Sequence, residues 1–296
     1  MTLRPIPELF TAARKGSYAL GYFESWNIES LQGVVDAAEQ THSPIIIGFN
    51  GEFLTHPSRL AEERIGWHGA LARAAAESTS VPCGIIFNEC ASDMHLQQAV
   101  QAGFNLVMLA DPSTSYEDYK KRTRRLVHFA HEHEAAVEAE IGELPSGLSG
   151  EVVMGHAALT DPKLAARFVA ATGVDLLSVS VGNVHVLVDG ERELDLDRLA
   201  EIHRRINIPL SLHGGTGIAG SSLREAIKLG VTKVAYGTYL KQQYLAALRK
   251  TLSNTEINPH KLLGMGGVED VLVAGRIAVR DAILERIELL GCCGKA

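Results

Sequence analysis

Two histidines and a set of carboxylates stand where apolar runs give way to polar residues. His213 lies in "SLHGGTG", between a β-rich run and a glycine-rich turn, and His185 lies in "GNVHV". Glu24 closes "YALGYFE", Asn50 closes "PIIIGFN", and "CGIIFNEC" sets Asn88 and Glu89 side by side behind an apolar run. In "VEAEIG", Glu138 and Glu140 alternate with Val137 and Ala139, so they share one face of an extended segment. Several carboxylates and two imidazoles gathered in one cavity repel or desolvate one another unless something pairs them. A divalent cation does so, and two His with one or two Glu form a common catalytic zinc set that keeps a position for water or substrate. This makes His185, His213 and one or two of the neighbouring carboxylates candidate ligands. The competing reading is that one of the two "VEAEIG" carboxylates pairs with a Lys or Arg. The cluster "HFAHEHE" (His128, His131, His133) also looks like a metal motif, but it falls on a helical segment outside the expected barrel.

These residues share a site only if the chain brings strand ends together. Short β-rich runs alternate with helical segments: residues 18–25, 43–50, 81–89, 104–110, 135–143, 173–182, 208–215 and 230–238 read as strands. Between them, "SLQGVVDAAEQ" places Leu31, Val34, Val35 and Ala38 on one helical face. "DPKLAARFVAATG" opens on Asp161-Pro162 and closes on Gly173. Parallel strands need helical crossovers, so eight alternations predict an α/β fold, a closed (β/α)8 TIM barrel forming a single domain over 1–296. An open doubly wound sheet would show a glycine-rich nucleotide loop after its first strand, and here "ESWNIES" follows instead. In a barrel, the C-terminal strand ends face one site. The irregular stretch 144–157 reads as a mobile active-site loop or an ordinary surface loop.

The 296 residues are 46% hydrophobic and 21% charged with a formal net charge of −7, which argues against a nucleic-acid or anionic-membrane surface. "KKRTRR" (120–125) precedes apolar periodic residues and reads as one solvated helix face. Cys83, Cys90, Cys292 and Cys293 form no disulfide framework, so a reducing cytoplasm is expected. No signal-peptide core opens the chain, and no apolar run is long enough for a membrane span.

The longer motifs resemble class II, zinc-dependent fructose- and tagatose-bisphosphate aldolases over nearly the whole chain. "VEAEIGE" resembles the family's VEAELG, and "LTDPKLAARFVAATGVDLLSVSVGNVH" resembles LTDPxxAxxFVxxTGVDxLAVxxGxxH. "IPLSLHGGTGI" resembles HGGSGI, "AIKLGVTKVAYGTYL" resembles AIxLGVTKxNVxTEL, and "GCCGKA" resembles GSAGKA. The resemblance implies a divalent metal, zinc first and Mn, Co or Mg next, polarising the ketone of a small-molecule substrate so that C–C cleavage leaves a stabilised enediolate. It also implies a homo-oligomer, dimer or tetramer. His185 and His213 match two of the family's three zinc His, and Glu140 matches a Glu at the metal.

"IIFNEC" departs from the family's LxLDHx. Asn88 stands for the acid/base Asp and Glu89 for the third zinc His, so a group unable to exchange a proton near neutral pH sits beside a hard oxygen ligand. Glu24 replaces an Asn, Ala235 a substrate-binding Asn, and Val186 a Gly; Glu151 is the nearest match to a loop Glu. Thr238 is kept, Thr216 replaces Ser, and the Gly214-Gly215-Thr216-Gly217 turn can offer backbone N–H groups to an anion, with Asn50 beside the substrate. The expected activity is therefore an aldolase-type lyase acting on a ketose, ketose phosphate or keto-acid-like substrate. Glu24 or Glu89 would take over proton transfer, with Asn88 and Glu151 also in the catalytic set. The alternatives are a sugar or sugar-acid epimerase or isomerase, and a binding protein that has lost the acid/base Asp.

Overall fold

The computed structural model describes residues 2–142, 144, 159–184 and 190–296. Eight parallel strands close a barrel in chain order: β1 (Leu20–Ser25), β2 (Ile45–Asn50), β3 (Cys83–Cys90), β4 (Leu106–Leu109), β5 (Ala136–Ile141), β6 (Leu176–Val179), β7 (Leu210–Leu212) and β8 (Val231–Tyr236), with β8 paired to β1. All eight expected strands are present. Several are shorter than their apolar runs suggest: β4, β6 and β7 begin at Leu106, Leu176 and Leu210, two or three residues inside those runs.

Both strand faces are covered, by helices outside and side chains inside, so strands such as Ile45-Ile46-Ile47 are apolar without alternation. Each such side chain, 0–1% exposed, contributes roughly 1.5–3 kcal/mol by leaving water. The helices obey the capping rules that sequence anticipates. Pro162–Thr172 starts at Asp161, whose carboxylate accepts from Leu164 N–H, and ends at Gly173 with φ +71°.

The two ends of the barrel are built differently. At the N-terminal end, the amphipathic helix Ile6–Gly16 touches both β3 and β8, which lie apart in the barrel, and so spans the opening. Gly84 makes room for it: a Cβ there would lie 2.6 Å from Ile6 Cδ1. The C-terminal end stays open and polar. Among the described residues, no helix is long and apolar enough to cross a membrane.

Two irregularities adjust side-chain direction near that open end. Between Phe87 and Cys90, β3 advances three residues while β4 advances two from Val107 to Leu109, which is a one-residue bulge. Glu89 sits in it with φ +51°, a left-handed conformation costing of order 1–3 kcal/mol for a side chain with a Cβ. A second shift pairs Leu210 with Val231 but Ser211 with Lys233, adding one residue to β8 immediately before Lys233.

Candidate active site at the C-terminal mouth

Within the barrel, the strand ends build a line of alternating charge. Lys233 Nζ on β8 donates to Glu138 Oε2 on β5 at 2.7 Å. Glu138 Oε1 lies 3.0 Å from His213 Nε2, just past β7. His213 Nδ1 lies 2.8 Å from Glu89 Oε1 on β3, and Asn50 Nδ2, at the end of β2, donates to Glu89 Oε2 at 2.6 Å. Asn50 Oδ1 meanwhile accepts from Phe53 N–H and caps the short helix Gly51–Leu54, which fixes the amide's orientation.

Lys233 and Glu138 are fully buried and His213 is 1% exposed, so each charge needs its neighbour. Burial would raise the Glu138 carboxyl, yet Lys233 and His213 outweigh it and hold it at about 2. Burial and Lys233 push the His213 imidazole down, but Glu89 and Glu138 push harder upward, to about 9. At neutral pH His213 is thus an imidazolium donating from both nitrogens, and the line reads plus, minus, plus, minus. The Lys233 ammonium also lies 5.3 Å from the centre of the Tyr22 ring.

Around this line stand the other sequence candidates. Asn88 is 2% exposed, and its Oδ1 has no hydrogen-bond donor among the described residues. Glu140 accepts from Ser178 Oγ at 3.0 Å, and its backbone N–H donates to Tyr119 Oη. Glu24 on β1 pairs with Lys241 at 2.5 Å, and that ammonium lies 4.0 Å from the Phe53 ring centre. Gly237 permits this pairing, since a Cβ there would lie 2.3 Å from Glu24 Oε2. Gly214 takes φ +69°, and Gly215–Gly217 form a 3-10 turn beyond β7; Thr238 begins the helix Thr238–Leu252 beyond β8. His185 and Glu151 lie outside the described residues. A cavity of ≈ 780 Å³ opens over the ends of β2 to β5, with Glu89 and Glu140 in its wall.

The structure thus joins Glu89, His213 and Asn50 directly and puts Glu140 in the same cavity as Glu89. Sequence reasoning left Lys233 unremarked; a lysine inside the buried run "VTKVAY" was the available signal. It also left open which "VEAEIG" carboxylate takes a basic partner, and the answer is Glu138. The "HFAHEHE" histidines lie on or just past the outer helix Tyr116–Glu132, where His131 pairs with Asp175 at 2.9 Å and His133 Nδ1 lies 2.8 Å from the Phe129 carbonyl. "KKRTRR" is only partly a solvated face, because Arg122 turns inward onto Asp93 and Asp111.

Among the described residues, no three His, Cys, Asp or Glu side chains are placed to hold one ion together. The donor chemistry nevertheless suits a divalent metal. A nitrogen of His213 and an oxygen of Glu89 share a proton that a cation can displace, and a buried Asn88 oxygen lacks a donor. Glu138, backed by Lys233, holds the other ring nitrogen, the arrangement in which a carboxylate orients a ligating imidazole.

Comparison with known proteins agrees with this architecture. The family model described as "Fructose-bisphosphate aldolase class-II" matches residues 5–295. The YdjI aldolase from Escherichia coli K12 superposes with a TM-score of 0.81 at 29% identity, covering 99% of each chain. The fructose-bisphosphate aldolase of Campylobacter jejuni superposes with a TM-score of 0.78 at 19% identity, covering 99% of this chain and 96% of that one, a likeness of fold.

Proposed function

Because the chain belongs to the class II fructose-bisphosphate aldolase family, we propose that it is a metal-dependent carbon–carbon lyase acting on a ketose, ketose phosphate or keto-acid-like substrate. The observation that carries this reading is the 2.8 Å contact between His213 Nδ1 and Glu89 Oε1, where two metal-ligand types meet at the barrel mouth. Glu89 and His213 would hold a divalent ion, zinc first, with His185 and Glu140 as the further donors. When bound, that ion supplies Lewis acidity toward the substrate ketone.

Cleavage breaks the bond between the α- and β-carbons of a β-hydroxy ketone. The β-hydroxyl gives up its proton and becomes an aldehyde, the bonding electron pair passes to the α-carbon, and a proton returns there; no redox partner is needed. Asn88 cannot take the hydroxyl proton but can hold the hydroxyl by hydrogen bonds. The proton is assigned to Glu24, which faces Lys241, or to Glu89, which faces His213, with Glu151 as the loop carboxylate of the set. Backbone N–H groups of the Gly214–Gly217 turn and the hydroxyls of Thr216 and Thr238 would receive an anionic end of the substrate. Zinc, a homo-oligomer (dimer or tetramer) and a cytoplasmic setting belong to the same proposal.

Metal analysis of the purified chain, combined with a screen of phosphorylated and unphosphorylated ketoses and keto acids, tests it. The expected result is about one divalent ion per chain and release of an aldehyde. A chain that neither carries nor takes up a divalent ion, and cleaves none of these substrates, sinks the proposal. Exchange of a substrate C–H with deuterium without fragmentation would mean an epimerase or isomerase instead.

A further inference from the structure

We infer that the fragment released as the aldehyde is an uncharged, polyhydroxylated chain, bound in the acid-lined cavity over β2 to β5. This rests on the lyase reading above and names the substrate class of the same site. Glu89 and His213 divide the mouth into two unlike halves. On the β7–β8 side lie the glycine-rich turn and Thr238, with backbone N–H groups suited to an anion. On the other side lies the ≈ 780 Å³ cavity, whose wall carries Glu52, Glu89, Asp111 and Glu140 together with the hydroxyls of Thr55 and Thr114.

Among the described residues, that wall carries no Lys or Arg. Behind it, Arg122 is committed to Asp93 at 2.8 Å, to Asp111 at 2.5 Å and to the Ala91 carbonyl, and Lys120, 5.4 Å from the Tyr116 ring centre, pairs with Glu117 at 2.7 Å. Residues 145–158 and 185–189 likewise contain no Lys or Arg, so those segments bring no permanent cation. Two imidazoles, His56 and His95, complete the polar wall; His56 Nδ1 is engaged with Ser58 Oγ at 2.7 Å.

Carboxylates accept hydrogen bonds from sugar hydroxyls and repel phosphate. With the ion bound, Glu89 and Glu140 would face it and Asp111 faces Arg122, so a second phosphate at the far end of the substrate would meet Glu52 and, among the described residues, no Lys or Arg in the wall to receive it. An uncharged polyol meets acceptors for each of its hydroxyls. The sign of the wall therefore selects a single-ended anionic or neutral ketose over a bisphosphate.

The test runs the reaction in the condensing direction with the metal-loaded enzyme. Dihydroxyacetone phosphate, dihydroxyacetone and hydroxypyruvate serve as donors, each offered glyceraldehyde or glyceraldehyde 3-phosphate. Exchange of the donor C–H with D2O is followed separately, without any aldehyde. The expected kcat/KM for glyceraldehyde exceeds that for its phosphate by about 100-fold, and Glu52→Lys narrows the gap by about tenfold, Glu52→Gln by less. Donor exchange with equal or better use of the phosphorylated aldehyde overturns this inference and leaves the lyase reading standing. Absence of donor exchange and of condensation with either aldehyde overturns both.

Discussion

Two carboxylates of this barrel each face a lysine, and the pairs behave differently because of where they sit. Glu138 and Lys233 are fully buried, and Glu138 is shared with a buried imidazole. Glu24 and Lys241 meet at the rim, where the lysine side chain is 33% exposed. Inside, each charge faces an opposite one, so removing a single member leaves its neighbour buried without that counter-charge. At the rim, water replaces a lost partner. The interior line therefore sets the geometry of His213 and Glu89, whereas the rim pair is free to take part in chemistry at modest structural cost.

The strongest way to break that contrast is Glu138→Gln. It leaves the Lys233 ammonium buried without its counter-charge, and urea unfolding should show a loss of about 3–5 kcal/mol. A Glu138→Gln/Lys233→Met double variant should recover most of that loss. If the single variant unfolds like the parent, the interior line is not what holds the mouth together.

Next comes Glu89→Gln, which keeps shape and the Asn50 contact but removes the charge that faces His213. Turnover on the substrate identified by the screen should fall by about 100-fold or more, with divalent-ion content reduced. Full turnover together with full metal content would remove Glu89 from the site.

The pH profile of the metal-free chain sharpens the same contrast. Glu138 is held at about 2, below its ordinary 4.5, so its contribution is complete above pH 4.5 and fades as pH falls toward 2. His213 is raised to about 9 from 6.5, so its contribution is complete below pH 6.5 and is lost as pH rises through 9. Thermal melts should show the highest Tm between those limits, and Glu89→Gln should flatten the alkaline limb.

The smallest structural effect is expected at the rim. Glu24→Gln should change stability by no more than about 1 kcal/mol, because water reaches the Lys241 side chain that is left behind, 33% exposed. Turnover then separates the two carboxylates proposed for proton transfer: a fall of about 100-fold assigns the role to Glu24, and an unchanged rate leaves it with Glu89.

The barrel itself was legible because its signals are local. Strand runs alternating with capped helices, such as Asp161-Pro162 to Gly173, record their periodicity within a dozen residues. The candidate site was legible as a list of residue types at strand ends, including the Asn88-Glu89 pair that departs from the family pattern. Contacts were not, since Glu138 and Lys233 are 95 positions apart and meet only through barrel closure. Nor was the direction of Glu89: strict alternation would have sent it away from Asn88's face, and the bulge with φ +51° brings it to His213.

The sequence by itself determined that eight apolar strands would be wrapped by amphipathic helices, with carboxylates and imidazoles at the strand ends, because hydrophobic periodicity and capping act between near neighbours. Only the tertiary structure decided which carboxylate neutralises the buried lysine, which one meets the histidine, and that one side of the mouth is walled by acids. Those outcomes depend on strand register and on two one-residue shifts, and a register is fixed by packing across the closed barrel, which no single strand encodes.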